Sequence, residues 1–129
     1  MIRICILLSF LLTGILPANA AGPTGKGVEL LMVEAAGCVW CARWNKEIGP
    51  IYPKTDEGKR APLRRIDKQD PLPEGIRLAR GFFYTPTFVL LVDGQEKGRI
   101  EGYPGEDFFW GLLDQLVSSV DKAVSANAD

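Results

Sequence analysis

Gly37-Cys38-Val39-Trp40-Cys41-Ala42-Arg43-Trp44 (GCVWCARW) sets two cysteines three positions apart at the end of an apolar run. That run, Val28–Ala35 (VELLMVEA), is apolar almost throughout and of strand length, which reads as a buried strand. Gly37 interrupts it. From Cys38 the pattern turns helical, with Val39, Trp40, Trp44 and Ile48 on roughly one face. Pro50 and Pro53 end or kink the helix. The cysteines therefore stand at a strand-to-helix junction. Such a pair is a structural staple, half of a metal site, or a dithiol that opens and closes as its work.

The beginning of the chain narrows the choice. MIRICILLSFLLTGILPANA has one early cation, Arg3, an apolar stretch from Ile4 to Leu16, and Ala18-Asn19-Ala20. This is the layout of a secretory signal peptide with a small-x-small cleavage site. The stretch is shorter than the ~20 residues that span a bilayer, which argues against a membrane anchor. We expect residues 1–20 to be a cleaved leader, 21–27 a flexible N-terminus, 28–124 one domain, and 125–129 a frayed tail. Cys5 would leave with the leader, so Cys38 and Cys41 pair only with each other within one chain. Exported thiols also meet an oxidising setting.

The chain has 129 residues, 47% of them hydrophobic, which is ordinary for one small domain. Its formal net charge is −1. The leader holds one Arg and no acid, so the mature domain is slightly more acidic. That balance gives no reason to invoke nucleic acid or an anionic membrane. There is no histidine. Its absence removes Cys–His and Ser–His nucleophile pairs and histidine metal sites. Covalent haem attachment is removed too, since Ala42 follows the second cysteine.

As a staple the pair is badly placed, because a bridge closing only two residues restricts the unfolded chain little. A metal site needs about four ligands, and two thiolates supply half; a copper(I) site or a metal shared between two copies is the remaining alternative. Redox chemistry needs an exposed sulfur, a device that favours its thiolate, and a second thiol within reach. Cys38 follows a flexible Ala36-Gly37 corner. A helix N-terminus stabilises an anion there. Cys41 lies one helical turn on. The inferred cycle has Cys38 attack a substrate disulfide or capped thiol, and Cys41 then release the product.

Beyond the helix, Lys54–Ala61 is polar, a loop or one helical turn. Leu63–Asp67 alternates as a short edge strand. A short helix is expected near Glu74–Arg80. Thr85-Pro86 opens Thr87–Val92 (TFVLLV), the plainest strand in the chain. Asp93-Gly94 is a tight-turn dipeptide, and Glu96–Gly102 returns as the second arm of a hairpin. The last helix carries Glu106 and Asp107 in its first turn, with Phe109, Leu112, Leu113, Leu116, Val117, Val120 and Val124 as its apolar face. The order, strand-helix-strand-helix-strand-strand-helix, is an α/β arrangement: a four-stranded mixed sheet of a βαβ unit plus ββα, with helices on both faces.

A CxxC at the first strand–helix junction, with Thr-Pro opening the third strand, resembles the thioredoxin fold over nearly the whole mature chain. The short segment before the first strand makes it a minimal form, closer to glutaredoxin in size. The resemblance implies that Cys38 and Cys41 are catalytic and that no cofactor is used. It implies that Pro86 is cis and faces the pair, and that Thr85 offers backbone groups to an extended substrate. Val39 and Trp40 are then substrate contacts, with packing of Trp40 against Trp44 as the competing reading. Where thioredoxins carry a buried acid on the first strand, this chain has Met32. Glu34, four residues before Cys38, is the candidate proton acceptor for Cys41; pairing with an arginine or with solvent is the alternative. The histidine of strongly oxidising members is missing, which favours a reductase.

Two longer stretches, GCVWCARWNKEIGPIYPKTDEGKRAPLRRID and TPTFVLLVDGQEKGRIEGYPGEDFFW, resemble the SoxS-type periplasmic thioredoxins of bacterial sulfur-oxidation (Sox) systems. That resemblance implies a periplasmic reductase; we expect it to be a monomer, though nothing in the sequence fixes the oligomeric state. Its substrate would be the reactive cysteine of the sulfur-carrier protein of the thiosulfate-oxidising complex. Its electrons would come from a membrane thiol transporter of the CcdA/DsbD kind. The alternatives are a cytochrome c maturation reductase, a thiol oxidase or isomerase, or a non-catalytic copper(I)- or protein-binding module on the same scaffold.

Overall fold

The computed structural model describes residues 27–126; the expected leader, Cys5 and the last three residues lie outside them. The described elements are β1 (Val28–Glu34), α1 (Val39–Glu47), a 3-10 turn (Tyr52–Lys54), α2 (Asp56–Arg60), β2 (Leu63–Asp67), β3 (Thr87–Val92), β4 (Gln95–Glu101) and α3 (Glu106–Ala126). The sheet runs β2-β1-β3-β4. β1 pairs in parallel with β2 and antiparallel with β3, and β3 pairs antiparallel with β4. The four-stranded mixed α/β sheet expected from the sequence is present.

β1 is buried on both faces because it is central. Leu30 and Met32 join Phe88, Leu90 and Ile100 in the larger core, with side chains from α1 and α3. Leu31 and Val33 point the other way, with Ile66, Val89 and Leu91. The buried side chains of α1 and α3 pack on the first face. Trp44 of α1, Phe88 of β3 and Phe109 of α3 meet there, with ring centroids 5.2 Å, 4.9 Å and 5.7 Å apart around the triangle. Aromatic contacts at this spacing add about 0.5–1.5 kcal/mol each beyond area burial. They fix α1 against the sheet at the level of the cysteines.

Three local expectations need correction. The helix over Glu74–Arg80 is absent, and an irregular chain joins β2 to β3. Pro71 and Pro73 precede it, and Gly75, inside the expected range, adopts a positive φ of 84°, which a right-handed helix does not contain. Instead Ile76 is buried and Leu78 packs beside it, alternate residues of an extended segment lying on the second face. That face is covered by this segment, not by a helix. In α1 the buried residues are Cys41 and Trp44, followed by Ile48 at its C-cap, while Val39 and Trp40 are exposed, because the first turn overhangs the sheet. In α3, Leu112 and Val124 are likewise exposed; the core takes Phe109, Leu113, Val117 and Val120.

Of the two readings for Lys54–Ala61, the helical turn is the one formed. Thr55 caps α2, its Oγ1 accepting the Gly58 N–H at 3.0 Å and donating to the Tyr52 carbonyl at 2.8 Å. Gly58 is required by close approach, since a Cβ there would lie 1.8 Å from the Tyr52 oxygen.

The irregular segment is held by a buried ion pair. Arg99 and Glu96 on β4 contact at 2.6 Å, with side chains 5% and 6% exposed. Arg99 also donates to the carbonyls of Arg80 and Gly81, and Glu96 accepts the Ala79 N–H. Burial pushes the Glu96 carboxyl up, but the hydrogen bonds from Arg99 and Ala79 outweigh it and leave it lowered. Removing one partner strands the other charge inside. We expect Arg99→Ala to cost about 3 kcal/mol or more in chemical denaturation, with amide exchange accelerating first around residues 77–82. A loss below about 1 kcal/mol would mean that the pair is not the clamp.

Candidate functional site

The site lies where β1 ends and α1 begins. The chain leaves the sheet at Glu34 and turns through Ala36 and Gly37, where Gly37 takes φ 74°. It then enters α1 with Cys38 as N-cap. The Cys38 N–H donates to the Ala35 carbonyl at 3.2 Å, which closes the turn. Cys38 Sγ accepts the Cys41 N–H at 3.1 Å. The sulfur thus fills the capping role usually taken by a hydroxyl or carboxylate. Any negative charge on it would face the positive end of the helix dipole and an aimed N–H.

Cys38 and Cys41 are joined in a disulfide. They are not equivalent. Cys41 is 3% exposed and belongs to the core, whereas Cys38 is only partly buried at its edge. One sulfur can be approached from solvent, and the other is almost wholly withdrawn from it.

Two depressions flank the bridge. The first, a cleft of about 480 Å³, is lined by Trp40, Tyr84, Thr85, Tyr103 and Pro104, among others. The Thr85–Pro86 bond is cis. Pro86 is buried, and its carbonyl accepts the Gly102 N–H at 2.7 Å, which draws the β4–α3 connection against it. Neither the N–H nor the carbonyl of Thr85 makes a backbone hydrogen bond among the described residues. The second depression, of about 350 Å³, is bordered by Glu34, Gly37, Cys38, Val39, Cys41 and Asn45. Trp40 and Val39, adjacent in sequence, line opposite sides of the disulfide. Trp40 does not pack into the core with Trp44; it is half exposed, and the Arg43 guanidinium lies 5.7 Å from its ring.

Electrostatics differ on the two sides. Beside the second depression, Glu34 receives two hydrogen bonds from Arg65, at 3.1 Å and 2.9 Å, and Arg65 also donates to Asn45. The Arg65 hydrogen bonds outweigh the opposing effect of burial and hold the Glu34 carboxyl below its ordinary value. The parallel register makes this contact, setting Met32 opposite Arg65 one step inward. On the cleft side, the Tyr103 hydroxyl donates to Glu47 at 2.7 Å, and Arg43 donates to the same carboxylate at 2.9 Å. Burial, and then that hydrogen bond, raise the Tyr103 hydroxyl. Arg43 also stands 6.0 Å from the Tyr103 ring. Trp40, Arg43, Glu47 and Tyr103 thus form a ladder along the wall.

The structure gathers all the residues singled out by sequence at this end of the sheet: Cys38, Cys41, Val39, Trp40, Thr85, Pro86 and Glu34. It adds Tyr84, Tyr103, Glu47, Arg43 and Arg65. For Tyr103, an aromatic set between Gly102 and Pro104 was the available signal. The pairing of Glu34 with Arg65 depends on strand register and left no local trace.

No protein-family model matches the chain, and no curated protein matches it. Among solved structures, the periplasmic thioredoxin SoxS from Paracoccus pantotrophus, in its reduced form, is 55% identical to this chain. The match covers 72% of this chain and 98% of that one, with a TM-score of 0.71. A Malassezia sympodialis thioredoxin is 24% identical, covering 72% of this chain and 79% of its own, with a TM-score of 0.48. With more than half of the residues shared along nearly the full length of SoxS, and a cysteine pair bridged at the head of α1, the chain belongs to the thioredoxin family as a SoxS-like thiol–disulfide oxidoreductase.

Proposed function

We propose that the chain is a periplasmic dithiol reductase that keeps the reactive cysteine of a sulfur-carrier protein, in a thiosulfate-oxidising complex, in its reduced form. The observation that carries this reading is the likeness to a periplasmic SoxS thioredoxin together with the accessible–buried asymmetry of Cys38 and Cys41. The expected leader agrees with an exported protein. The oxidoreductase activity displaces the alternative of a non-catalytic scaffold.

In the cycle, the Cys38 thiolate attacks one sulfur of the substrate disulfide. That bond breaks, and the other substrate sulfur leaves as a thiolate. Cys38 is then joined to the substrate. The Cys41 thiolate attacks Cys38 Sγ, forms the intramolecular disulfide and expels the second substrate thiolate. Two electrons pass from the dithiol to the substrate. A membrane thiol transporter of the CcdA/DsbD kind would return them by reducing the Cys38–Cys41 bridge. Trp40 and the unbonded backbone of Thr85 would hold the substrate in the cleft.

Glu34 borders the depression next to Cys41, as a proton acceptor must. Its carboxyl, however, is lowered by Arg65, and the role requires a raised one. We assign it the positioning of β1, β2 and α1 through Arg65 and Asn45. Glu34→Gln is then expected to leave the pH profile of the resolving step unchanged, and a displaced profile would restore the proton-transfer role. Stability gives the second readout. A carboxyl held below 4.5 in the folded state contributes above that value, and its contribution disappears as pH falls through the lowered one. The partly exposed pair is worth about 0.5–1 kcal/mol near neutral pH. The difference between the parent chain and Glu34→Gln should therefore be present above pH ~5 and vanish in acid.

Trapping tests the function itself. Cys41→Ser should accumulate its substrate as a mixed disulfide on Cys38, and mass spectrometry should identify a sulfur-carrier protein. Recovery of cytochrome apoproteins instead would transfer the assignment to cytochrome maturation. The reduction potential should lie near the thioredoxin value of about −270 mV; one near −120 mV would make the protein an oxidant.

A further inference from the structure

The apolar arc of α3 is wider than the core beneath it. Phe108 and Leu112, one turn apart on the stripe beside the core residues, are 71% and 40% exposed. Leu112 and Leu116 form one wall of a groove of about 460 Å³, and Arg99, Ile100 and Glu101 of β4 form the other. β4 is the end strand of the sheet. After Glu96, its outward backbone groups take no backbone hydrogen bond beyond the sheet's own ladder among the described residues. Leu116 reaches inward over Gly98, where a Cβ would lie 2.5 Å from its Cδ2. The groove thus combines an unused ladder edge with apolar seats, the two features by which an extended chain is recognised.

This groove continues the cleft beside the disulfide. Glu101 and Pro104 line both. A chain that meets Cys38 and leaves along Trp40 and Thr85 is led past Pro104 to Leu112. From there to Ser119, α3 rises about 10 Å, a distance that three extended residues span.

We propose that the β4–α3 groove is a second docking site on this enzyme, and that its occupant is the protein substrate's own extended segment flanking the reactive cysteine, with an apolar side chain seated on Leu112 and Leu116. The assignment rests on the reductase reading of the Cys38 cleft. It makes the enzyme selective for cysteines with an apolar residue several positions away. Small disulfides, which end inside the cleft, gain nothing from it.

Capped peptides test it. Peptides with one cysteine held as a mixed disulfide with 2-nitro-5-thiobenzoate would be reduced in a single turnover by the full chain, pre-reduced with dithiothreitol. Each event oxidises the Cys38–Cys41 dithiol and releases the peptide thiol and nitrothiobenzoate. Leu placed about three to six residues from the cysteine, on one side of it, should raise the second-order rate constant about ten-fold over Ser at the same place. Leu112→Asp and Ser119→Trp change exposed positions of α3; each should abolish that gain while the shortest capped peptide is reduced at the parent rate. Equal rates for Leu and Ser peptides, or a gain that survives both variants, would overturn the proposal. So would a dimer that Leu112→Asp dissociates, since the groove would then belong to a second copy. Failure to reduce even the shortest peptide would remove the reductase reading, and the docking site with it.

Discussion

Leu30, Leu31, Met32 and Val33 are each wholly withdrawn from water, and four consecutive residues of a strand cannot all be buried unless both faces of the sheet are covered. Each such side chain contributes about 1.5–3 kcal/mol, so the two covers stand or fall with β1. On one face the cover is α1 and α3, locked by Trp44, Phe88 and Phe109. The same strand points its C-terminal end at the Gly37 turn. Burying β1 therefore fixes where α1 must start, and with it the position of Cys38. Placement of the accessible sulfur thus follows from core packing.

The second cover is less conventional and bears on function more directly. It is a segment without regular structure, so its backbone cannot satisfy itself as a helix would. Glu96 and Arg99 meet that need by bonding Ala79, Arg80 and Gly81. A buried ion pair is rarely a net gain over apolar packing; here it ties the main chain of an exposed segment to β4. The segment it clamps runs on to Tyr84 and Thr85, the far wall of the cleft. Order in that wall is thus set by charges on β4, on the other side of the sheet from the helices.

The legible parts of the sequence were those with one period and enough length. β1 and β3 are runs too apolar for an exposed strand, Asp93-Gly94 marks the hairpin between β3 and β4, and α3 repeats its apolar residues over 21 positions. Glu74–Arg80 failed because two large apolar residues in seven cannot define a period by themselves. Ile76 and Leu78 in fact alternate as extended chain does. In α1 and α3 the apolar face was read too wide, since composition does not say how far a sheet extends beneath a helix. The cysteine pair was legible because its chemistry is local. Glu34 was ambiguous because its partner, Arg65, lies 31 residues away and meets it only through strand register.

The direction of the chemistry can be weighed by magnitude. Moving a dithiol from about −270 to −120 mV requires about 7 kcal/mol, since 30 mV corresponds to about 1.4 kcal/mol. The devices that stabilise a Cys38 thiolate are one aimed N–H from Cys41 and the N-terminus of a nine-residue helix. A hydrogen bond to a charged group contributes about 1.5–3 kcal/mol, and a helix terminus at most about 2. Their sum falls short. The further term would have to be a cation at the sulfur, and the chain has no histidine to supply one. Arg43, one turn into α1, is engaged by Glu47, and Arg65 by Glu34. With both guanidiniums engaged by their own carboxylates, Cys38 lacks the cation that a strong oxidant would use, which supports the reductase reading proposed above.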